Sequence, residues 1–426
     1  MKKTTIYNLV FTFLGLTLMS SCGTKENQNI TETKVIESPI VEVKIEAEDL
    51  VNSSTNFDVV ELDGVSYISF PSEGWVEVDV NIPETGSYKT ELKISTPSDK
   101  VTCWVEDFVD NTEGRTFNIT GRMIVDDANF SSVYKDGSPF EKGIHKKMKI
   151  HFDGPVNIDW IKFTLIAPLY SSPENLTQKM DGKEWKVVWA DEFEGTELDT
   201  TKWTYDIGNW GWGNMESQYY TFDRKENARV EDGNLIIEAR KHDMGQEWTS
   251  ARITTRGKTS FTYGKIEFKA KIPVKKGSWA AGWTLGDSFV HQASWPECGE
   301  IDILETVGYE IDNVTGDGVA HASVHCKAYY HVIGNHKTFT VDVDNMNAEY
   351  HIYSVEWTPE KIIGYVDGVA YSHYENTGEI DAWPFDKPQN IILNLAIGGW
   401  GGRQGISETI VSQKMIVDYI RVYDLQ

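Results

Sequence analysis

Apolar side chains recur at every second position through most of this chain. Period two is the spacing of a strand that buries one face, so the pattern confines the chain to β architecture. Residues 41–168 carry it in VEVKIEAE, WVEVDVNI, SYKTELKIS, KMKIHF and VNIDWIKFTLI, with turn residues between them such as Pro83 to Gly86 and Asp153-Gly154-Pro155. No amphipathic helix interrupts them, which predicts a small β-sandwich. Residues 169–183 are rich in Ser, Pro and Asn and read as a linker. From 184 to 426 the pattern is again β. KIIGYVDGVAYSHY is a hairpin whose Asp367-Gly368 pair suits a type I′ turn. NIILNLAIGG is apolar enough for an inner strand, and KMIVDYIRVY alternates to the end. So many strands in one stretch predict two large packed sheets, a jelly roll. The expected fold class is therefore all-β: a jelly-roll domain preceded by a smaller β-sandwich.

The N-terminus reads as an address. Lys2 and Lys3 precede an apolar run over residues 7–19 that is too short to span a bilayer comfortably. Ser20 and Ser21 then lead to Cys22. The order resembles a bacterial lipoprotein signal over residues 1–21, with cleavage before Cys22 and lipid on its sulfur. Met19 stands where Leu is usual. An ordinary secretory peptide is the alternative. Residues 22–40 are polar and aperiodic, a flexible tether. The expected location is the bacterial cell envelope, lipid-anchored, at the outer membrane and facing either the surface or the periplasm.

Charge narrows the partners. The chain carries 65 acids against 40 bases, so a polyanionic duplex is excluded as the main partner. Twelve of its 15 Trp follow residue 184; a flat hydroxylated ligand that stacks on indoles would use some of them. Cleavage before Cys22 leaves three other cysteines, Cys103, Cys298 and Cys326. That odd count is no disulfide framework, and free buried thiols are expected. Whether Cys298 and Cys326 pair stays open. The protein is expected to be a monomer.

Residues 295–305 read Trp-Pro-Glu-Cys-Gly-Glu-Ile-Asp-Ile-Leu-Glu. In a strand Glu300 and Asp302 share a face, and Ile301 and Ile303 take the other. Glu305 has the wrong parity, but a one-residue bulge at Ile303-Leu304 would return it to the acidic face. Three clustered carboxylates cost several kcal/mol unless one is protonated or paired. A core strand has no reason to bear that cost, whereas a catalytic strand has. Glycoside hydrolysis needs two carboxyl groups in opposite protonation states across one bond, and a third between them can set which holds the proton. A Ca²⁺ cluster or a solvated edge strand is the alternative reading.

The string Glu300-Ile-Asp-Ile-Leu-Glu305 resembles the signature of glycoside hydrolase family 16, in its bulged, laminarinase-like form. Trp189-Ala-Asp-Glu-Phe193, Asn214-Met-Glu-Ser-Gln-Tyr-Tyr220, Asn394-Leu-Ala-Ile-Gly-Gly399 and Val417-Asp-Tyr-Ile-Arg-Val-Tyr423 resemble further segments of that family. Trp279-Ala-Ala-Gly-Trp283 does so with departures at Ala280 and Gly282. The resemblance covers nearly all of residues 185–426. It implies a retaining endo-β-1,3-glucanase, also able to cut mixed-linkage β-1,3/1,4-glucan, with Glu300 as nucleophile, Glu305 as acid/base and Asp302 as electrostatic helper. Trp295 would form the floor under the cleaved sugar, with core packing as the alternative. Of Trp279 and Trp283, one is expected to face the cleft and one to pack. Asn214 would bond sugar hydroxyls. His325 would touch the acid/base or the leaving sugar, or else sit at the rim. His321, His325, His331 and His336 do not make a zinc site by spacing, since His321 and His325 lie in a strand rather than on a helix. No cofactor is required. A structural Ca²⁺ would match Glu192, the Gly233 carbonyl and Asp418.

In the smaller sandwich, Ile45-Glu-Ala-Glu48, Gly86-Ser-Tyr88, Gly143-Ile-His145 and Val156-Asn-Ile-Asp-Trp160 resemble family 6 carbohydrate-binding modules. Trp104 and Asn157 are its candidate sugar contacts, and a spacer without binding is the alternative. Two other functions compete. A red-algal galactanase would call for Arg252, Arg256 or Arg403 against sulfate. A non-catalytic glycan-binding lipoprotein would not need the three acids.

Overall fold

The computed structural model describes residues 40–50, 52–62, 64–107 and 116–426. The signal-like segment, Cys22 and all but the last residue of the tether lie outside the described residues. No described helix is long and apolar enough to cross a membrane.

Among the described residues the N-terminal sandwich has two six-stranded sheets. Strand Gly74–Ile82 shows how the sequence builds it. Val76, Val78, Val80 and Ile82 are at most 1% exposed and join one core with Cys103, Val105, Ile150 and Phe152. Alternate residues take the other face, as period two requires.

The second unit pairs a nine-stranded with a ten-stranded sheet. In the first, Gln389–Ile397, Ser278–Gly286, Glu300–Val307, Gly318–His325 and Lys337–Val343 run side by side. Gln389–Ile397 is buried at every residue, as its apolar run predicts for an inner strand. The ten-stranded sheet runs through Ser412–Leu425, flanked by Asn234–Asp243 and Gly264–Lys271. Ile266 and Phe268 from one sheet meet Ile301, Ile303 and Leu304 from the other in a shared core. The all-β architecture is thus as the alternation predicts. At the hairpin turn Asp367 and Gly368 have φ of 50° and 77°, the two positive values that a type I′ turn demands. Cys103, Cys298 and Cys326 are free and buried.

The 169–183 linker contains a paired strand. Glu174–Thr177 is a strand pairing in parallel with Thr259–Thr262, and Gln178 N–H donates to the Thr262 carbonyl at 2.9 Å. Backbone pairing is indifferent to side-chain polarity, so a polar segment can still complete a sheet edge.

Candidate active site

The acid strand Glu300–Val307 is bulged where its sequence requires. Against the neighbouring strand, Gly282 pairs with Leu304 and Trp283 with Asp302, so adjacent residues face positions two apart. Against Gly318–His325, Asp302 pairs with Ser323 and Glu305 with His321, the same one-residue excess. Ile303 and Leu304 are both buried, at 1% and 0% exposure. The extra residue turns Glu305 back to the face of Glu300 and Asp302.

Each glutamate has its own indole donor. Trp295 Nε1–H donates to Glu300 Oε2 at 2.9 Å, and Trp279 Nε1–H to Glu305 Oε1 at 3.1 Å. His325 Nε2 lies 3.4 Å from Asp302 Oδ2 and 3.7 Å from Glu300 Oε1. Burial pushes the Glu300 carboxyl up to about 8; the Asp302 charge adds to this, while His325 and the Trp295 donor pull it back. Burial raises Asp302 as well. It raises Glu305 most clearly, with the Asp302 charge adding. Burial holds His325 below the usual imidazole range, with the Glu300 charge opposing. The cluster therefore retains protons at neutral pH, and Glu305 is placed to carry one, as a general acid must.

Aromatic rings flank the acids. The Trp295 ring centre is 5.2 Å from that of His331 and 5.7 Å from that of His325, and His325 stacks on His336 at 5.5 Å. At the other end Trp400 lies 5.8 Å from Trp279 and 4.9 Å from His321, whose Nε2 is 2.6 Å from Glu310. The four histidines therefore divide between the two ends of the acid row. Trp279 and Trp283 both lie on the acid face, because Ala281 between them pairs with Glu305 and Trp283 pairs with Asp302. Trp283 packs there against Leu285, Cys298 and Ile392, while Trp279 bonds Glu305.

Asn214 stands beside groups whose part the sequence did not suggest. Its Nδ2 is 3.4 Å from Glu216 Oε1, while Glu216 Oε2 accepts from Gln218 at 2.6 Å and from Tyr220 Oη at 3.3 Å. Burial pushes the Glu216 carboxyl up to about 7. Asn394 joins this network, donating to Tyr220 Oη at 3.0 Å and accepting from Trp283 Nε1 at 2.7 Å. Arg252 lies between the rings of Trp212 and Trp283, at 4.8 and 4.7 Å. The available signal was a Glu and a Gln two apart in the 214–220 motif, close enough to bond each other.

Other expected contacts are engaged elsewhere. Glu192 makes a two-pronged pair with Arg421 at 2.7 and 2.8 Å, and Asp418 meets Lys269 at 2.7 Å. Both pairs lie at a partly exposed surface. Trp104 stacks on His151 at 5.0 Å, and Asn157 donates to Ser95 Oγ at 3.1 Å. Arg252 pairs with Asp206 at 2.7 Å, and the Arg256 guanidinium donates to the Phe289 carbonyl.

Comparison with known proteins agrees with this geometry. Residues 215–421 match the glycosyl hydrolases family 16. A β-glucanase of Rhodothermus marinus is 46% identical over 249 residues, covering 56% of this chain and 85% of that protein. The solved laminarinase from Rhodothermus marinus superposes with a TM-score of 0.53 at 45% identity, over 57% of this chain and 98% of its own. SCLam, a non-specific endo-β-1,3(4)-glucanase, gives 0.53 at 41% identity, over 60% of this chain and 98% of its own.

Proposed function

This chain belongs to glycosyl hydrolase family 16 and is a glycoside hydrolase, and from that premise we propose that it cuts β-1,3-glucan internally with retention of configuration. The observation that carries the reading is the pair Glu300 and Glu305 on one face of a bulged strand, each with its own indole donor. Glu300 attacks the anomeric carbon while Glu305 protonates the departing oxygen. Glu305, now a carboxylate, takes a proton from water, which attacks the same carbon and releases Glu300. Asp302, between them, disfavours a second negative charge on Glu305 until the bond has broken. The kinship with a β-1,3(4)-glucanase supports action on mixed-linkage glucan as well.

The test uses residues 23–426 with laminarin, barley β-glucan, agarose, porphyran and κ-carrageenan. Early products from laminarin should be β-anomers by NMR, and polymer length should fall before small sugars accumulate. Initial α-anomers would refute the mechanism. Cleavage of the galactans alone would refute the substrate. Arg252 and Arg256 are already partnered within the protein, which argues against their reading sulfate.

The Cys22 anchor belongs to the same reading. Its basis is the charged start, short apolar run and small residues before Cys22. Cys22→Ser should move the enzyme out of the membrane fraction with its rate on laminarin unchanged. Retention of the Ser variant on membranes would remove the anchor from the account.

A further inference from the structure

A buried polar cluster, separate from the three acids, joins the two units. Asp107, the last residue of strand Val101–Asp107, and His145, on strand Gly143–Phe152, belong to the N-terminal sandwich. His291 comes from the catalytic unit. Asp107 Oδ2 lies 2.6 Å from His145 Nδ1 and 3.0 Å from His291 Nε2, with side chains 0%, 7% and 2% exposed. His145 Nε2 lies 2.7 Å from the Glu141 carbonyl, which can only accept, so that nitrogen carries a proton. With Nδ1 also donating to Asp107, His145 is an imidazolium beside a carboxylate. The raised pKa of His145 and that of Asp107, held down to about 2 by both histidines against the opposing effect of burial, are consistent with this.

These residues could be mistaken for a metal site, but two observations oppose that. Asp107 Oδ2 stands 2.6 and 3.0 Å from the two ring nitrogens, closer than the roughly 3.4 Å between ligands placed tetrahedrally at about 2.0–2.2 Å from an ion. His291 Nδ1 also accepts from the Ala293 N–H at 3.0 Å. That leaves the ring proton on Nε2, where a metal would have to bind. Asp107 thus bonds His145 and meets His291 Nε2 at ion-pair distance, and the cluster is a polar clamp.

What the clamp holds is the approach to the acid strand. His291 caps the short turn Gln292–Ser294. Ser294 Oγ donates to the His291 carbonyl at 2.6 Å, and Trp295 N–H donates to the Gln292 carbonyl at 3.2 Å. The next side chain is Trp295, bonded to Glu300. The start of the same loop is tied at Asp287, which accepts from Ser172 N–H at 2.8 Å and Ser172 Oγ at 3.0 Å. The units also meet backbone to backbone. A Cβ on Gly137 would lie 1.9 Å from the Ile207 carbonyl oxygen, and one on Gly208 would lie 2.0 Å from that of Asp136. Asn209 and Asp136 bond reciprocally at 3.0 and 3.1 Å.

We propose that Asp107 is a positioning residue for hydrolysis: through His291 it fixes the turn that presents Trp295 to Glu300. The N-terminal sandwich is then a working part of the catalytic centre, and not a module carried on a loose linker. The role rests on Glu300 as nucleophile.

The test uses the full chain after Cys22 and four variants on laminarin. Asp107→Ala should lower kcat by about 10–100-fold, with KM within about twofold, and move the acidic limb of the pH–rate profile upward as Glu300 loses its donor. Asp107→Asn keeps an oxygen that His291 can donate to and an amide N–H that can donate to Nδ1 of a now neutral His145, and should recover most of the rate. Ser172→Ala loosens the same interface without touching His291 and should stay near wild type. Should Asp107→Ala not fold, His291→Phe keeps the ring volume and carries the same expectation. A folded Asp107→Ala or His291→Phe protein with wild-type kcat and acidic limb would overturn the role, as would an equal loss in Ser172→Ala. Absence of laminarin hydrolysis in the wild type would instead refute the functional reading itself.

Discussion

Trp295 reaches along its own chain to set its indole N–H 2.9 Å from Oε2 of Glu300. One side chain thus serves as the expected sugar floor and as a donor to the proposed nucleophile. Trp295→Phe keeps an aromatic ring and deletes the donor. A hydrogen bond to a charged group is worth about 1.5–3 kcal/mol. The variant should therefore lose about 10–100-fold in kcat. The donor favours the ionised form, so its loss should raise the Glu300 pKa further and shift the acidic limb to higher pH. An unshifted limb would show that the bond has no role in ionisation.

Glu300→Gln should abolish nearly all hydrolysis, by about a thousandfold or more, while substrate still binds. It should also stabilise the protein. Glu300 sits at about 8 in the folded state against an ordinary value of 4.5. The folded state therefore holds this proton more tightly than the unfolded one. The resulting stability is complete below about pH 4.5 and is lost as pH rises toward 8. Gln does not titrate, so its advantage over wild type should widen across that window to about 1–3 kcal/mol. Denaturant titrations at pH 5 and pH 8 measure this; a gap independent of pH would contradict it.

Deleting Leu304 removes the bulge and keeps Glu305 on the acidic face by parity. Leu304 is fully buried opposite Gly282, so the deletion straightens the strand and costs core packing together. Activity on β-1,3-glucan should fall about a hundredfold or more. Unchanged rates and product sizes would show the bulge to be dispensable.

The acid face and its bulge were legible because both are local properties of six consecutive residues. The Asp367-Gly368 turn was legible for the same reason. The common face of Trp279 and Trp283 was also there to be read, since 279, 281 and 283 share parity. The strand Glu174–Thr177 could not be read from its polar composition, because its partner Thr259–Thr262 is distant in the chain. The meeting of Asp107, His145 and His291 was hidden for the same reason: three isolated polar residues on two units carry no shared period. Glu192 and Asp418 show the converse. Their match to a calcium set was visible in sequence, and their pairs with Arg421 and Lys269 were not.

Gly282 departs from the family pattern, and the structure supplies a reason. A Cβ there would lie 2.3 Å from Cζ and 2.7 Å from Cε1 of Phe268, whose side chain is fully buried and has nowhere to swing. Gly282 also pairs with Leu304 at the bulge on one side and Leu393 on the other, so the strand cannot retreat without disturbing the acid register. Gly282→Ala should therefore cost about 1–3 kcal/mol by overpacking. Phe268→Leu alone should cost about 1 kcal/mol through lost packing. Combined, the two should cost less than their sum, because the smaller side chain makes room for the new methyl group. Urea titrations of both single variants and the double variant give the coupling. Costs that add within about 0.5 kcal/mol would mean that the ring is not what excludes a side chain at position 282.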